Sequence, residues 1–183
     1  MRQRKIKDIE KKIEAFSEPL VYLPASNRGR WREVFGAGGA DGEDAFAASG
    51  AGRPLFLEIG CGKGRFISDS ALGHPEFLYL GFEGHQSVLY RALQRVYAGP
   101  DAKPTELNEI AMALVGLCSD GSENAHGAGA VEKNPMLPPN LRLCAEYIED
   151  MTDLFAPGEL NGIFLNFSDP WPKARQEKRR LTS

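Results

Sequence analysis

The apolar positions of the chain follow two different periods. In residues 3–16, Ile6, Ile9, Ile13 and Phe16 recur at helical spacing with Lys, Asp and Glu between them. This predicts an amphipathic helix with a basic polar face, ending near Ser17-Glu18-Pro19. Farther along, short, almost continuous apolar runs alternate with helical patterns. Leu55–Ile59 predicts a buried strand that runs into Gly60-Cys-Gly-Lys-Gly64 and then a helix through about Ala71. Phe77–Phe82 predicts a second strand, and Val88, Leu89, Leu93 and Val96 mark one face of a helix over about Gln86–Tyr97. An extra helix is expected over Glu106–Cys118, a third strand over Leu141–Ala145 and a fourth over Gly162–Phe167. Strand and helix in this rhythm predict an α/β fold, a doubly wound, mostly parallel sheet covered on both faces.

Two stretches interrupt the pattern. From Gly36 to Gly52, 12 of 17 residues are Gly or Ala and only Phe46 is large and apolar, which reads as a flexible insertion. Asp120 to Asn140 carries Gly121, Gly127, Gly129, Pro135, Pro138 and Pro139 and reads as a second loose segment. The expected organisation is therefore an N-terminal basic helix and arm over 1–35, an insertion over 36–53, and an α/β domain over 54–183 with a loose insertion at about 100–140.

Composition narrows the class. A chain of 183 residues, 42% hydrophobic and 26% charged, fits an ordinary globular domain. No apolar run approaches the roughly 20 residues of a spanning helix, and Met1-Arg-Gln-Arg-Lys5 leads into charge rather than an apolar signal core. The expectation is a cytoplasmic protein without a membrane partner. Cys61, Cys118 and Cys144 form no C-x-x-C pair and have no His at ligand spacing, so no metal site is expected.

The formal charge of −3 hides a segregation. Residues 1–12 carry six basic and two acidic groups, and residues 173–180 carry five and one, leaving an acidic body between two basic ends. Such a distribution suits a nucleic-acid binder in spite of a low isoelectric point, although solvated helix faces would look the same by charge alone. In Asn27-Arg-Gly-Arg-Trp-Arg32, three arginines flank Trp31, a mixture suited to phosphate contact and stacking. The plainer expectation is that Trp31 and Phe35 cover one edge of the core.

The chemistry concentrates at two turns. In Glu58-Ile-Gly-Cys-Gly-Lys-Gly64 the glycines let the backbone turn tightly beside a helix start that offers free N–H groups. A dinucleotide fingerprint would need glycine where Arg65 stands, so a nicotinamide or flavin cofactor is disfavoured. Glu58, just before the first glycine, suits a ligand with an ammonium group better than a pyrophosphate. Glu83 follows the second strand at the distance from the glycine loop where an acid accepts hydrogen bonds from both ribose hydroxyls. The combination points to an adenosine bearing an amino acid, S-adenosylmethionine. The second turn, Asn166-Phe-Ser-Asp-Pro-Trp-Pro-Lys-Ala-Arg-Gln-Glu-Lys-Arg-Arg180, holds Asp169 in a stiff aromatic-proline segment just ahead of Lys173, Arg175, Lys178, Arg179 and Arg180. A fixed carboxylate beside a phosphate-binding strip is what modification of a base within a nucleic acid requires.

With Leu57-Glu-Ile-Gly-Cys-Gly-Lys-Gly-Arg-Phe-Ile67, Gly81-Phe-Glu83, Gly29-Arg-Trp-Arg-Glu-Val-Phe35 and above all the Asn166–Thr182 segment, the chain closely resembles the bacterial tRNA (guanine-N7)-methyltransferases. The resemblance implies a class I, Rossmann-like methyltransferase fold that uses S-adenosylmethionine to methylate the variable-loop guanine at tRNA position 46. By that resemblance Glu58, Glu83, Glu146 and Asp169 contact the cofactor, beside the close-approaching turn of Gly60, Gly62 and Gly64, and Asp169 is catalytic. Lys173, Arg175, Lys178, Arg179 and Arg180 contact tRNA. Glu146 stands where the family usually has Asp, and from its own surroundings it reads as a surface acid. A class I sheet has seven strands, whereas four are accounted for here, and Ser183 lies 14 residues past Asp169. The expectation is an incomplete domain with its last strands missing, whose fourth strand is an exposed edge. An RNA-binding fragment without catalysis, or an amine N-methyltransferase suggested by Asp-Pro-Trp-Pro, are the alternatives.

Overall fold

A computed structural model describes residues 6–36, 52–98 and 137–166. The expected helix over Glu106–Cys118 lies outside them, as does the segment from Phe167 onward. The described elements are α1 (Ile9–Glu14), two 3-10 helices (Pro24–Asn27 and Trp31–Phe35), β1 (Leu55–Ile59), α2 (Arg65–Gly73), β2 (Leu78–Phe82), α3 (Gln86–Ala98), β3 (Leu141–Cys144), α4 (Met151–Leu154) and β4 (Gly162–Phe164). Each predicted strand is present, with β4 ending earlier than the apolar run suggested.

The four strands form a parallel sheet in the order β3-β2-β1-β4. Chain order steps outward from β1 to β2 to β3, then crosses back to place β4 on the other side of β1. The carboxyl end of β1 is therefore a topological switch point, where open α/β sheets bind ligands. β2 is buried along its whole length, as expected of a strand with neighbours on both edges and cover on both faces.

Alternation along the strands sorts side chains into two cores. Leu55, Leu57, Leu78, Leu80 and Phe82 pack with Trp31, Phe35, Leu154 and Phe155 on one face. On the other, Tyr79, Leu141 and Leu143 pack with Ile67 and Ala71 of α2, with Leu89, Leu93 and Val96 of α3, and with Phe16. Ile6, Ile9 and Ile13 lean on this second core, so the first helix is amphipathic for the reason its spacing gave.

The N-terminal arm belongs to both cores. After Phe16 the chain runs along β3: the Leu143 N–H donates to the Pro19 carbonyl at 2.8 Å and the Val21 N–H donates to the Leu143 carbonyl at 2.9 Å. This short parallel pairing, which no alternation in the sequence announced, shields the outer edge of the sheet. Beyond it Trp31 is fully buried, stacked on Phe155 at 5.4 Å, and its indole N–H donates to the Leu154 carbonyl. The neighbouring arginines serve backbone: Arg28 Nε donates to the Thr152 carbonyl, Arg30 to the Ser26 carbonyl, and Arg32 to the Arg53 carbonyl and Asn161 Oδ1. Trp31 is thus a core residue and offers no face to a base.

Asn140 binds three segments together. Its buried amide donates to the carbonyls of Ala71, His74 and Phe77 at 3.0, 3.2 and 3.0 Å, joining the end of α2, the approach to β2 and the start of β3. Asn140→Ala would take the Ala71 carbonyl's donor away and leave His74 and Phe77 with one donor each, the Phe77 N–H and Arg53, so stability should fall by about 1–3 kcal/mol. Asn140→Asp should cost more, because it sets a carboxylate against three carbonyl oxygens. Urea denaturation of both variants checks this, with an unchanged m-value expected.

Candidate cofactor site at the strand ends

The site begins with the ladder between β1 and β2. Ile59 sits opposite Phe82, and the Cys61 N–H continues the pairing by donating to the Phe82 carbonyl at 3.0 Å. The chain then turns through Gly60, Gly62 and Gly64, all with positive φ (68°, 61° and 72°). Gly64 is doubly required. Besides its left-handed backbone, a Cβ there would stand 3.0 Å from Ala92 Cβ, so the α2 start could not sit this close to α3.

Glu83 locks the turn. Its Oε2 accepts from the Gly62 N–H at 3.1 Å and its Oε1 from the His85 N–H at 2.8 Å, so one carboxylate fixes both the glycine turn and the start of the loop after β2. A carboxylate has about four acceptor positions, and two remain for hydroxyl donors from a ligand. The expected ribose-binding acid is therefore held in place before any ligand arrives.

Glu58 is the unusual group. It is 1% exposed; its Oε1 accepts from Asn166 Nδ2 at 3.0 Å, and its Oε2 has no hydrogen-bond partner among the described residues. Burial pushes its pKa up to about 7, against the opposing influence of Asn166 and of the Ile67 backbone amide. An acid buried with an idle oxygen costs stability, and it provides an attraction for a cation that burial leaves unsatisfied. Burial also pushes the Cys61 thiol well up, helped by the charges of Glu58 and Glu83, so this cysteine stays a neutral packing group.

Glu146 is exposed, just past β3 and near enough to Cys144 to raise its thiol further after burial has done most of the work. The structure thus brings Glu58, the three glycines, Glu83 and Glu146 to the carboxyl ends of β1, β2 and β3. Asp169, Lys173, Arg175, Lys178, Arg179 and Arg180 lie outside the described residues. Asn166 opens the Asn166–Arg180 segment, and the sequence pattern gives it no role of its own. Its part in holding Glu58 follows from the β1–β4 pairing, in which Glu58 faces Phe164 two residues earlier.

A raised carboxyl pKa means the folded chain binds a proton more tightly than the unfolded one, so stability falls as pH rises from about 4.5 through 7. Glu58→Gln should remove this loss and leave the variant more stable than the parent at pH 8, by an amount on the order of 1–3 kcal/mol. Denaturation curves at pH 5 and pH 8 read the difference directly. A parent whose stability is flat across that range would exclude a proton-linked Glu58.

Comparison with known proteins agrees with this geometry. A family model described as "Putative methyltransferase" matches residues 52–183. A tRNA (guanine-N(7)-)-methyltransferase of a Geobacillus species is 34% identical over 182 residues, covering 100% of this chain and 60% of the relative. Its namesake from Geobacillus thermodenitrificans is 35% identical over 171 residues, covering 93% of this chain and 56% of the relative. The one from Streptococcus sanguinis is 34% identical over 182 residues, covering 100% and 62%. The chain spans about 60% of the length of these curated relatives. With a parallel sheet, a glycine turn at its switch point and a family match over residues 52–183, the chain belongs to the family described as putative methyltransferases.

Proposed function

We propose that the chain carries the cofactor-binding portion of a tRNA (guanine-N7)-methyltransferase, with S-adenosylmethionine lying across the carboxyl ends of β1, β2 and β3. The observation that carries this reading is the Glu83 carboxylate, anchored by Gly62 and His85 with acceptor positions to spare, beside the buried and half-satisfied Glu58. Three acids at one sheet end repel phosphates and attract a ligand with a sulfonium and an ammonium. That sign of charge favours this cofactor over a dinucleotide.

The residues divide the work by position. Glu83 would hold the ribose hydroxyls, the glycine turn would let the backbone approach the amino-acid portion, and Glu58 would answer its positive charge. When bound, the cofactor supplies an electrophilic methyl group. Guanine N7 has a lone pair and no proton, so the protein need not create the nucleophile, only align it; alignment of this kind lowers barriers by roughly 7–11 kcal/mol at its upper end. Asp169 would hold the guanine edge or offset the positive charge the ring acquires. Lys173, Arg175, Lys178, Arg179 and Arg180 would grip tRNA phosphates and set the register of the base.

Calorimetry with S-adenosylhomocysteine tests the cofactor assignment. Glu83→Ala should weaken binding by about 1–3 kcal/mol, since it removes charge-assisted hydrogen bonds and frees the glycine turn together. Binding of NADH in place of the nucleoside thioether, or an unchanged affinity in the variant, would overturn it.

For the RNA, neutralising Arg175, Lys178, Arg179 and Arg180 should flatten the dependence of log affinity on log salt by nearly one unit per lost phosphate contact. An unchanged slope would return that strip to a solvated face. Incubation of unmodified tRNA with labelled cofactor, followed by nuclease digestion and mass spectrometry, should place the methyl group on guanine N7. A methyl group on an exocyclic amine would replace this reaction with amine methylation.

A further inference from the structure

Asn166 stands just past β4 and is exposed, yet its amide reaches a group that is not. Its Nδ2 donates to Oε1 of Glu58, an acid buried almost completely at the end of β1. The pairing of β1 with β4 makes the contact possible, because it sets Glu58 opposite Phe164 and carries the chain beyond β4 past the end of β1. Among the described residues the other carboxyl oxygen, Oε2, has no partner. One amide donor from a distant strand thus fixes one oxygen and leaves the second idle.

The other groups around Glu58 do not favour its charge. From the glycine turn comes the Cys61 thiol, held neutral, and that thiol feels the charges of both Glu58 and Glu83, so a second carboxylate acts on the same place from the loop after β2. Lys63 and Arg65 are exposed, and Arg65 is directed to Asp69 at 3.8 Å. Against burial stand two hydrogen-bond donors, the Asn166 amide, the stronger of the two, and the Ile67 backbone amide of α2. Asn166 is therefore the side chain that supports a negative charge where burial opposes it.

We propose that Asn166 is a positioning residue for ligand binding: by donating to Oε1 it holds Glu58 ionised and in one orientation, so that the ligand's ammonium group meets a negative charge near neutral pH. The inference rests on the reading above that an adenosine bearing an amino acid occupies the strand ends. A cation binds the ionised acid better than the protonated one, so ligand and proton compete for Glu58. Without the Asn166 donor the proton is held more tightly, and the competition turns against the ligand at a higher pH. Well above that range Glu58 is ionised with or without the amide, and the effect of Asn166 vanishes.

The test is calorimetry across pH with the 183-residue chain, its Asn166→Leu and Glu58→Gln variants and the double variant. Two ligands are compared: S-adenosylhomocysteine, and methylthioadenosine, which keeps the nucleoside thioether and lacks the ammonium group. Asn166→Leu, similar in size but without the N–H, should weaken S-adenosylhomocysteine binding about five- to tenfold at about pH 6.5 and less than about twofold at about pH 9. The ligand's own amino group titrates alike against every variant and cancels in these ratios. For methylthioadenosine, and in the Glu58→Gln background, the Asn166→Leu ratio should not change with pH, because its effect passes through the acid and the ammonium. Thermal melting of each variant reports whether it is folded, and no large loss is expected for so exposed a side chain. A ratio that is the same at every pH, or a pH-dependent loss shared equally by methylthioadenosine, would overturn the role of Asn166 while leaving the cofactor assignment standing. Failure of the parent chain to bind either thioether would overturn both.

Discussion

Everything at the candidate site depends on the parallel register between β1 and β2. With Ile59 opposite Phe82, Cys61 finds the Phe82 carbonyl and Glu83 emerges level with Gly62, where a single carboxylate can reach both its N–H and that of His85. The Glu83 N–H in turn donates to the Cys144 carbonyl, carrying the alignment across to β3. A slip of one residue would turn the alternating side chains to the wrong faces and move Glu83 away from the turn. The core fixes the register, and the register builds the site.

Two buried glutamates show how the fold treats the same side chain for different ends. Glu159 accepts from the backbone N–H groups of Gly29, Trp31 and Ala156 at 2.8, 2.9 and 2.9 Å. Its acceptors are well used, and the result is mechanical: the arm is pinned beside Trp31. Glu58 is buried as deeply or more so, yet among the described residues its Oε2 has no hydrogen-bond partner, while its Oε1 accepts from Asn166. Nothing in packing alone favours leaving a carboxyl in that state, since an apolar residue of similar size would cost less. The positive charge of the proposed cofactor would answer the oxygen that packing leaves unsatisfied.

The arginines carry a parallel lesson about charge. Arg28, Arg30 and Arg32 look in sequence like part of a basic surface for phosphates, but their guanidinium groups donate to backbone carbonyls of the arm, of the chain ahead of β1 and of α4. A guanidinium has five N–H donors and fits such carbonyl clusters well, so local basic density marks a fastening as readily as a binding face.

The sequence by itself determined the α/β class, the four strands, the two helices that follow β1 and β2, and the glycine turn with Glu58 and Glu83 on either side. These are local matters, because apolar periodicity and glycine placement act over a few residues, and a strand buried on both faces reads as a nearly continuous apolar run. It also carried the resemblance to the methyltransferase family, through motifs that need no coordinates to recognise. Tertiary structure decided what depends on residues far apart in the chain. That Glu58 is buried beneath Asn166, that Glu83 spends its oxygens on Gly62 and His85, and that Tyr147 rests on Gly84 all follow from the strand order β3-β2-β1-β4. The same holds for the pairing of Pro19–Val21 with β3 and for Asn140, whose three carbonyl partners lie more than sixty residues before it. Such contacts have no periodic signature, because they are chosen by which strand ends become neighbours once the sheet has formed.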